Sequence, residues 1–282
     1  MKNELRELLA DLVADVRDAA QWELSQGWDR SSGAVLPEMT EPAPPATEAP
    51  AAGTARSRQA TEAWQSLAAA ARPQTDRRAP ASLAVASTDT PLGEAGLIGV
   101  REELGDCQRC GLCEHRKNIV FGVGDPEADL MVIGEGPGEQ EDERGEPFVG
   151  VAGQMLDKML THVLGLARDE VYIANVVKCR PPNNRNPGPE EMAACVPFLK
   201  RQIAAVNPKV VLVLGRIAFE QVLGGRGITR HRGEEFSLGD AVAIPTFHPA
   251  YLLRKPQDKK LTFADLKLVK QRYDERGGRR KG

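Results

Sequence analysis

The chain has 282 residues, of which 41% are hydrophobic, and 37 Lys and Arg face 40 Asp and Glu. That is enough apolar material for one or two domains, and no apolar run approaches the roughly 20 residues of a membrane-spanning helix. Acidic residues scattered through the apolar N-terminal stretch argue against a secretory signal, so the expected setting is the cytoplasm. Charge is uneven: residues 1–100 hold 9 basic and 14 acidic side chains, and residues 226–282 hold 14 and 7. The basic end permits a polyanionic partner, although solvated helix faces account for it equally well.

The first elements carry no chemistry. Leu5, Leu8, Leu9, Leu12, Val13 and Val16 recur at helical spacing, which predicts an amphipathic helix within residues 1–30. Residues 31–92 are rich in Ala, Pro, Thr and Ser, which bury too little to offset ordering entropy. A disordered linker is expected there, broken by a short helix around Trp64. The N-terminal helix is expected to cap the domain or to dock a protein partner.

The main domain is expected over residues 93–276, followed by a basic tail, 277–282. A helix over Glu94–Leu104 leads to the first cysteines. Near-continuous apolar runs predict strands at Leu130–Ile133, Val171–Val177, Lys209–Leu214 and Ala241–Phe247. Helical patterns at Gly153–Leu166, Pro189–Asn207, Gly215–Leu223 and Lys259–Tyr273 fall between and after them. Strands that alternate with helices predict an α/β fold, a three-layer α/β/α sandwich around a four-stranded parallel sheet. Three strands end in polar sequence, at Gly134-Glu135-Gly136, at Asn175 and at Phe247-His248-Pro249. Such ends share one edge of a parallel sheet, where open α/β folds bind ligands.

The first of these ends, LMVIGEGPGEQEDERGEPFVG, has glycines at 134, 136 and 138. A dinucleotide fingerprint would need glycine where Glu139 stands, and no Gly-Lys-Ser/Thr follows. The acids after the loop would repel phosphate. The loop suits a neutral ligand that accepts hydrogen bonds from backbone N–H groups. Phe148 can stack on a flat ring or fill the core. Asn175 is costly to bury unpaired, and its amide offers a donor beside an acceptor, which suits the edge of a base. His248 is the histidine at a strand end; His115, His162 and His231 read as loop or helix-surface residues.

There are five cysteines, at 107, 110, 113, 179 and 195. Cys107-x2-Cys110 with Cys179-x15-Cys195 makes a four-thiolate site. The cytosol disfavours structural disulfides, and spacing leaves zinc, iron–sulfur and unrelated buried cysteines open. Cys113 is surplus to four ligands, or is the third member of a C-x2-C-x2-C run with Lys117 where a ferredoxin pattern needs a cysteine.

GEGPGEQED with GEPFVG, then NVVKCRPPNNRNP, then FHPAYLLR resembles the family 4 uracil-DNA glycosylases, the iron–sulfur branch of that superfamily. The resemblance runs from Cys107 to Tyr273. It implies a 4Fe-4S cluster on Cys107, Cys110, Cys179 and Cys195, with Cys113 outside the ligand set. It implies backbone contacts to uracil at Glu135 and Gly136, stacking on Phe148, and a Watson–Crick edge read by Asn175. Glu141 would position or activate the attacking water, and His248 would stabilise charge on the departing base. The implied activity is excision of a flipped uracil from single- or double-stranded DNA by a monomer, leaving free uracil and an abasic site. The implied DNA contact is the loop Pro249–Arg254, with Leu252 or Leu253 as a wedge and Arg254 on phosphate. A related branch that traps DNA covalently carries a GEQPG loop and an extra basic insertion; the GEGPG loop here, without that insertion, favours turnover. The alternative is a non-catalytic iron–sulfur nucleic-acid binder or redox sensor on the same fold. Glu141, Asn175 and His248 together favour the enzyme.

Overall fold

The computed structural model describes residues 91–280. The expected N-terminal helix and all but the last two residues of the expected linker lie outside the described residues.

Helix α1 spans Gly93–Leu104 and runs into the cysteine loop, which contains a short 3-10 turn at Gly111–Glu114. Strand β1 is Val123–Gly124, β2 is Leu130–Gly134 and β3 is Tyr172–Asn175. Between β2 and β3 lie α2, Glu139–Arg144, and α3, Val151–Met159, whose last turn widens into a π-turn over Leu160–Leu164. Then follow α4 at Pro189–Val206, β4 at Val210–Leu214, α5 at Gly215–Leu223 and a short α6 at Ile228–His231. Strands β5 at Phe236–Leu238 and β6 at Ala241–Thr246 precede α7 at Pro249–Arg254 and α8 at Lys259–Glu275.

The expected four parallel strands are present as the centre of a six-stranded sheet, in the order β1-β3-β2-β4-β6-β5. Strands β3, β2, β4 and β6 are parallel to their neighbours. The two edge strands are antiparallel and were not expected from sequence. With two and three residues, β1 and β5 are too short to show a periodicity.

Strand residues alternate between two apolar layers, as the pleat requires. Met131, Ile133, Val211, Val213 and Ala243 face the layer that holds Leu97, Phe198 and Ile217 of α1, α4 and α5. Leu130, Val132, Val210, Leu212 and Ile244 face the layer that holds Leu156, Met159, Leu266 and Val269 of α3 and α8. Both faces of the sheet are therefore covered, and its two central strands are wholly buried. Each fully buried Leu, Ile or Val contributes on the order of 1.5–3 kcal/mol relative to exposure.

The acidic run and the stretch expected as the loop Pro249–Arg254 are both helical. The acidic run after Gly138 is α2, whose carboxylates sit at the helix start, where the macrodipole favours them. PAYLLR is α7, with Pro249 at its first position, where a missing N–H costs nothing. The described part of the basic tail folds back: Arg279 donates from its backbone N–H (2.8 Å) and its Nε (3.1 Å) to Asp129 Oδ2.

Candidate active site

The carboxyl ends of β2, β3 and β6 open into a pocket of about 390 Å³. Its wall includes Glu135, Gly136, Glu141, Phe148, Asn175 and His248. The register explains why: Gly134 pairs with Asn175 across the parallel β2–β3 ladder. A Cβ at Gly134 would lie 2.4 Å from Asn175 Oδ1 and 2.6 Å from the Phe148 ring. Glycine there lets the amide and the ring close on the strand end. Asn175 is 2% exposed, and its Oδ1 has no hydrogen-bond partner. Buried amide oxygens are seldom left unpaired, so this one marks a place for an incoming donor.

Glu141 organises the loop above. As the third residue of α2 it accepts from Gly138 N at 3.1 Å through Oε2. Its Oε1 accepts from Val149 N at 2.9 Å and Gly150 N at 2.8 Å. Between these anchors Phe148 adopts φ 53°, a strained conformation for an aromatic residue that the two bonds hold in place. The neighbouring Asp142 is buried and fastens α2 to the chain beyond the cysteine loop, accepting from Lys117 N (2.9 Å) and Asn118 N (3.2 Å).

His248 caps α7: its Nδ1 accepts from Ala250 N at 3.1 Å. That bond puts the ring proton of a neutral imidazole on Nε2. Burial, and then the Arg254 guanidinium, pull the imidazole down to about 4, against a smaller pull upward from Glu141. At neutral pH His248 is thus an uncharged N–H donor. Its ring stacks with Phe148, centroids 5.5 Å apart and planes inclined by 28°.

The four expected ligand cysteines come from three segments. Cys107 and Cys110 follow α1, Cys179 follows β3 and Cys195 lies in α4. They are near enough to influence one another: Cys179 feels Cys195 and Cys110, and Cys195 feels Cys110 and Cys107. Burial pushes the Cys179 thiol up to about 12 and the Cys195 thiol in the same direction. Donors surround the sulfurs. Arg109 Nη1 lies 3.3 Å from Cys107 Sγ, Arg116 Nη1 3.6 Å from Cys179 Sγ, and Lys178 N 3.4 Å from Cys195 Sγ. Among the described residues, no group of three or more His, Cys, Asp or Glu is placed to hold a single metal ion.

A family model described as the Uracil DNA glycosylase superfamily matches residues 121–267. The chain belongs to the uracil-DNA glycosylase superfamily. The type-4 uracil-DNA glycosylase of Sulfurisphaera tokodaii is 42% identical over 181 residues, covering 61% of this chain and 82% of that protein. The type-4 enzyme of Thermotoga maritima is 45% identical over 176 residues, covering 61% and 91%. A type-5 uracil-DNA glycosylase of Thermus thermophilus is 33% identical over 140 residues, covering 45% and 63%.

In this glycosylase the rim of the pocket differs from the sequence expectation. Leu252 is 0% exposed, because its position on α7 turns it into the core, so it is not available as a wedge. Leu253, the next residue, is 41% exposed, and Arg254 lines the pocket. The sequence reading also missed the opposite wall, supplied by Pro181, Asn184, Arg185, Asn186 and Pro187. With its amide nitrogen turned toward Glu135, Asn186 donates to Glu135 Oε1 (3.3 Å) and accepts from Arg216 Nη2 (2.9 Å). Burial raises the Glu135 carboxyl above its ordinary range, opposed by Arg216. The density of Pro and Asn in that loop was the available signal; nothing in it pointed across the chain to Glu135.

Proposed function

We propose that this domain flips uracil out of DNA, binds it in the pocket and hydrolyses its N-glycosidic bond, releasing free uracil and leaving an abasic site. The observation that carries the reading is the buried, unpartnered Oδ1 of Asn175, a residue of the pocket wall. Uracil offers N3–H to that oxygen and O4 to the amide nitrogen. Cytosine presents the reverse pattern at both atoms. Sites built on such buried pairs reject the mismatched analogue by roughly 10⁴-fold or more.

The remaining side chains fall into complementary roles. Phe148 supplies a face for the ring, and the N–H groups of the Gly134–Gly138 loop meet its carbonyl edge. Breaking the C1′–N1 bond leaves its electron pair on uracil, while the sugar gains positive character. The neutral Nε2–H of His248 opposes the first charge, a kind of contact worth roughly 3 kcal/mol. Glu141 opposes the second. A carboxylate has about four acceptor positions, and backbone N–H groups occupy three of those on Glu141. The fourth can hold the water whose oxygen bonds to C1′ and whose proton is then released. Glu141 on this account orients the water and carries the loop as well. Arg254 contacts phosphate, and Leu253 enters the gap left by the flipped base.

Cys107, Cys110, Cys179 and Cys195 fit a 4Fe-4S cluster: four sulfurs from three segments, with N–H donors aimed at three of them. When bound, the cluster supplies a covalent brace between the cysteine loop, the end of β3 and α4. The enzyme is read as a monomer acting on single- or double-stranded DNA in the cytoplasm, at the nucleoid. A binder without chemistry has no need of an unsatisfied amide, a donor histidine and a carboxylate in one pocket.

The test is alkaline strand cleavage of a uracil-containing oligonucleotide by the full chain. Cleavage is expected at uracil only, with losses of about 10²–10³-fold in Glu141→Ala and His248→Ala. No release from U:G, U:A or single-stranded substrate would overturn the reading.

A further inference from the structure

Strand β4 lies between β2 and β6, whose ends open into the pocket, yet the two residues that follow it, Gly215 and Arg216, are not part of the wall. Both are one contact away from it. Leu214 pairs with Thr246 across the parallel β4–β6 ladder, so the turn into α5 lies beside the strand end that carries His248. Gly215 has φ 88°, a conformation that glycine adopts freely and other residues rarely. A Cβ there would lie 2.9 Å from Cβ of His248 and 3.5 Å from Cδ2 of its ring. Carbon atoms pack at about 3.5–4.0 Å, so the first of these contacts requires the histidine or the turn to move. A bare Cα at position 215 is what lets His248 sit where it does.

Arg216 reaches the other way. Its Nη1 donates to both carboxylate oxygens of Glu220, at 3.2 and 3.1 Å, one turn further along α5. That pair fixes the guanidinium and leaves Nη2 to donate to the Asn186 amide oxygen at 2.9 Å. The amide nitrogen donates in turn to Glu135 Oε1 at 3.3 Å. Glu135 follows β2 and Asn186 belongs to the Pro- and Asn-rich loop, and both line the pocket. The link therefore ties two segments of the wall to each other and to α5.

We propose that Gly215 and Arg216 are positioning residues that make the β4–α5 turn a common support for the pocket: Gly215 seats His248, and Arg216, through Asn186, holds Glu135 and the Pro181–Pro187 wall. The assignment rests on the functional reading above for what His248 and the wall do to uracil. The two effects differ in kinetic signature. A group that acts only as the bond breaks bears on the rate of the bound complex. A wall that meets the base alike before and during the reaction bears on binding.

The test is single-turnover excision from a uracil-containing oligonucleotide by the full chain, with the imidazole resonances of histidine-labelled protein recorded beside it. Gly215→Ala is expected to lower the saturating rate by about 10- to 100-fold, the cost of misplacing a reacting group by up to about 1 Å, at an unchanged half-saturating enzyme concentration. In a His248→Ala background the same substitution is expected to cost nothing further. Arg216→Met and Asn186→Ala are each expected to raise the half-saturating concentration by about 3- to 10-fold at an unchanged saturating rate, the size of one hydrogen-bonded link. Together they are expected to cost no more than either alone. Multiplicative losses in either double variant, or the opposite split between rate and binding, overturn the proposal. Gly215→Ala is also expected to shift the His248 resonance, identified by its loss in His248→Gln, and to leave those of His115 and His162 in place. An unmoved His248 resonance overturns the seating whatever the activity. Should Gly215→Ala fail to fold, Gly215→Asn decides by the same readings, since Asn tolerates a positive φ and brings the same Cβ. A wild-type chain inactive on uracil sinks the functional reading instead, and the resonance shift still decides whether Gly215 seats His248.

Discussion

His248 is the residue whose chemistry depends most on its surroundings. A free imidazole titrates near 6.5, whereas burial and Arg254 hold this one near 4. Neutral, with Nδ1 accepting from Ala250, it keeps its proton on Nε2 across the physiological range, which is the state the proposed role requires. The profile of kcat/KM against pH is therefore expected to show no His248 limb near 6.5, and excision should persist to about pH 5. A limb at 6.5 that His248→Gln removes would contradict the assignment. The same shift has a stability consequence. The unfolded chain takes up a proton below about 6.5 and the folded chain resists until about 4, so the stability tied to the neutral ring is full above 6.5 and is lost as pH falls across that window. Among the cysteines, Cys113→Ser is expected to keep its full iron content and visible absorbance, whereas Cys195→Ser, buried and bonded to Lys178 N, is expected to lose both. Equal iron loss in the two variants would place Cys113 in the ligand set.

At the scale of elements, α7 turns one leucine into the core and the next to the surface within one turn. Leu252→Ala empties a buried site and is expected to destabilise by about 2–5 kcal/mol, read as a lower denaturation midpoint. Leu253→Ala, at a 41% exposed position, is expected to leave that midpoint within about 0.5 kcal/mol and to weaken excision from duplex more than from single strands. Reversed effects would show that α7 packs the other way round. This helix also marks the limit of what the sequence disclosed. FHPAYLLR placed His248 at a strand end, but the neighbouring leucines were indistinguishable until α7 gave them opposite faces. The central strands were legible because burial on both sides leaves continuous apolar runs. The edge strands were not, since Val123–Gly124 offers two residues and no alternation. Asn175 was legible as an amide among apolar neighbours. Asn186 was not, because its partner Glu135 lies 51 residues earlier and meets it only across the pocket.

On the scale of the whole molecule the sheet has two working edges. The carboxyl ends of the strands hold the pocket; at the amino end of β2, Asp129 fastens Arg279. Asp129, just before β2, is 8% exposed. Burial by itself would raise its carboxyl, but the backbone and side chain of Arg279 and then Lys209 outweigh that and hold it below the usual carboxylate range. A group with a depressed folded value contributes stability that is fully present above its unfolded value of about 3.8 and is lost as pH falls through the folded one. Asp129→Asn is therefore expected to cost about 1.5–3 kcal/mol at neutral pH, the worth of hydrogen bonds to a charged group. The difference from the unsubstituted chain should shrink below about pH 4 as both lose the charge. Because β2 runs from this fastening to the pocket, the variant also asks whether the two edges are coupled. The rigid, wholly buried strand between them moves as one piece or not at all. Excision at a temperature well below the unfolding midpoint is thus expected to match the unsubstituted enzyme, with the entire effect appearing in the midpoint. A loss of kcat in Asp129→Asn with an unchanged midpoint would mean that the Asp129–Arg279 contact reaches the pocket through β2.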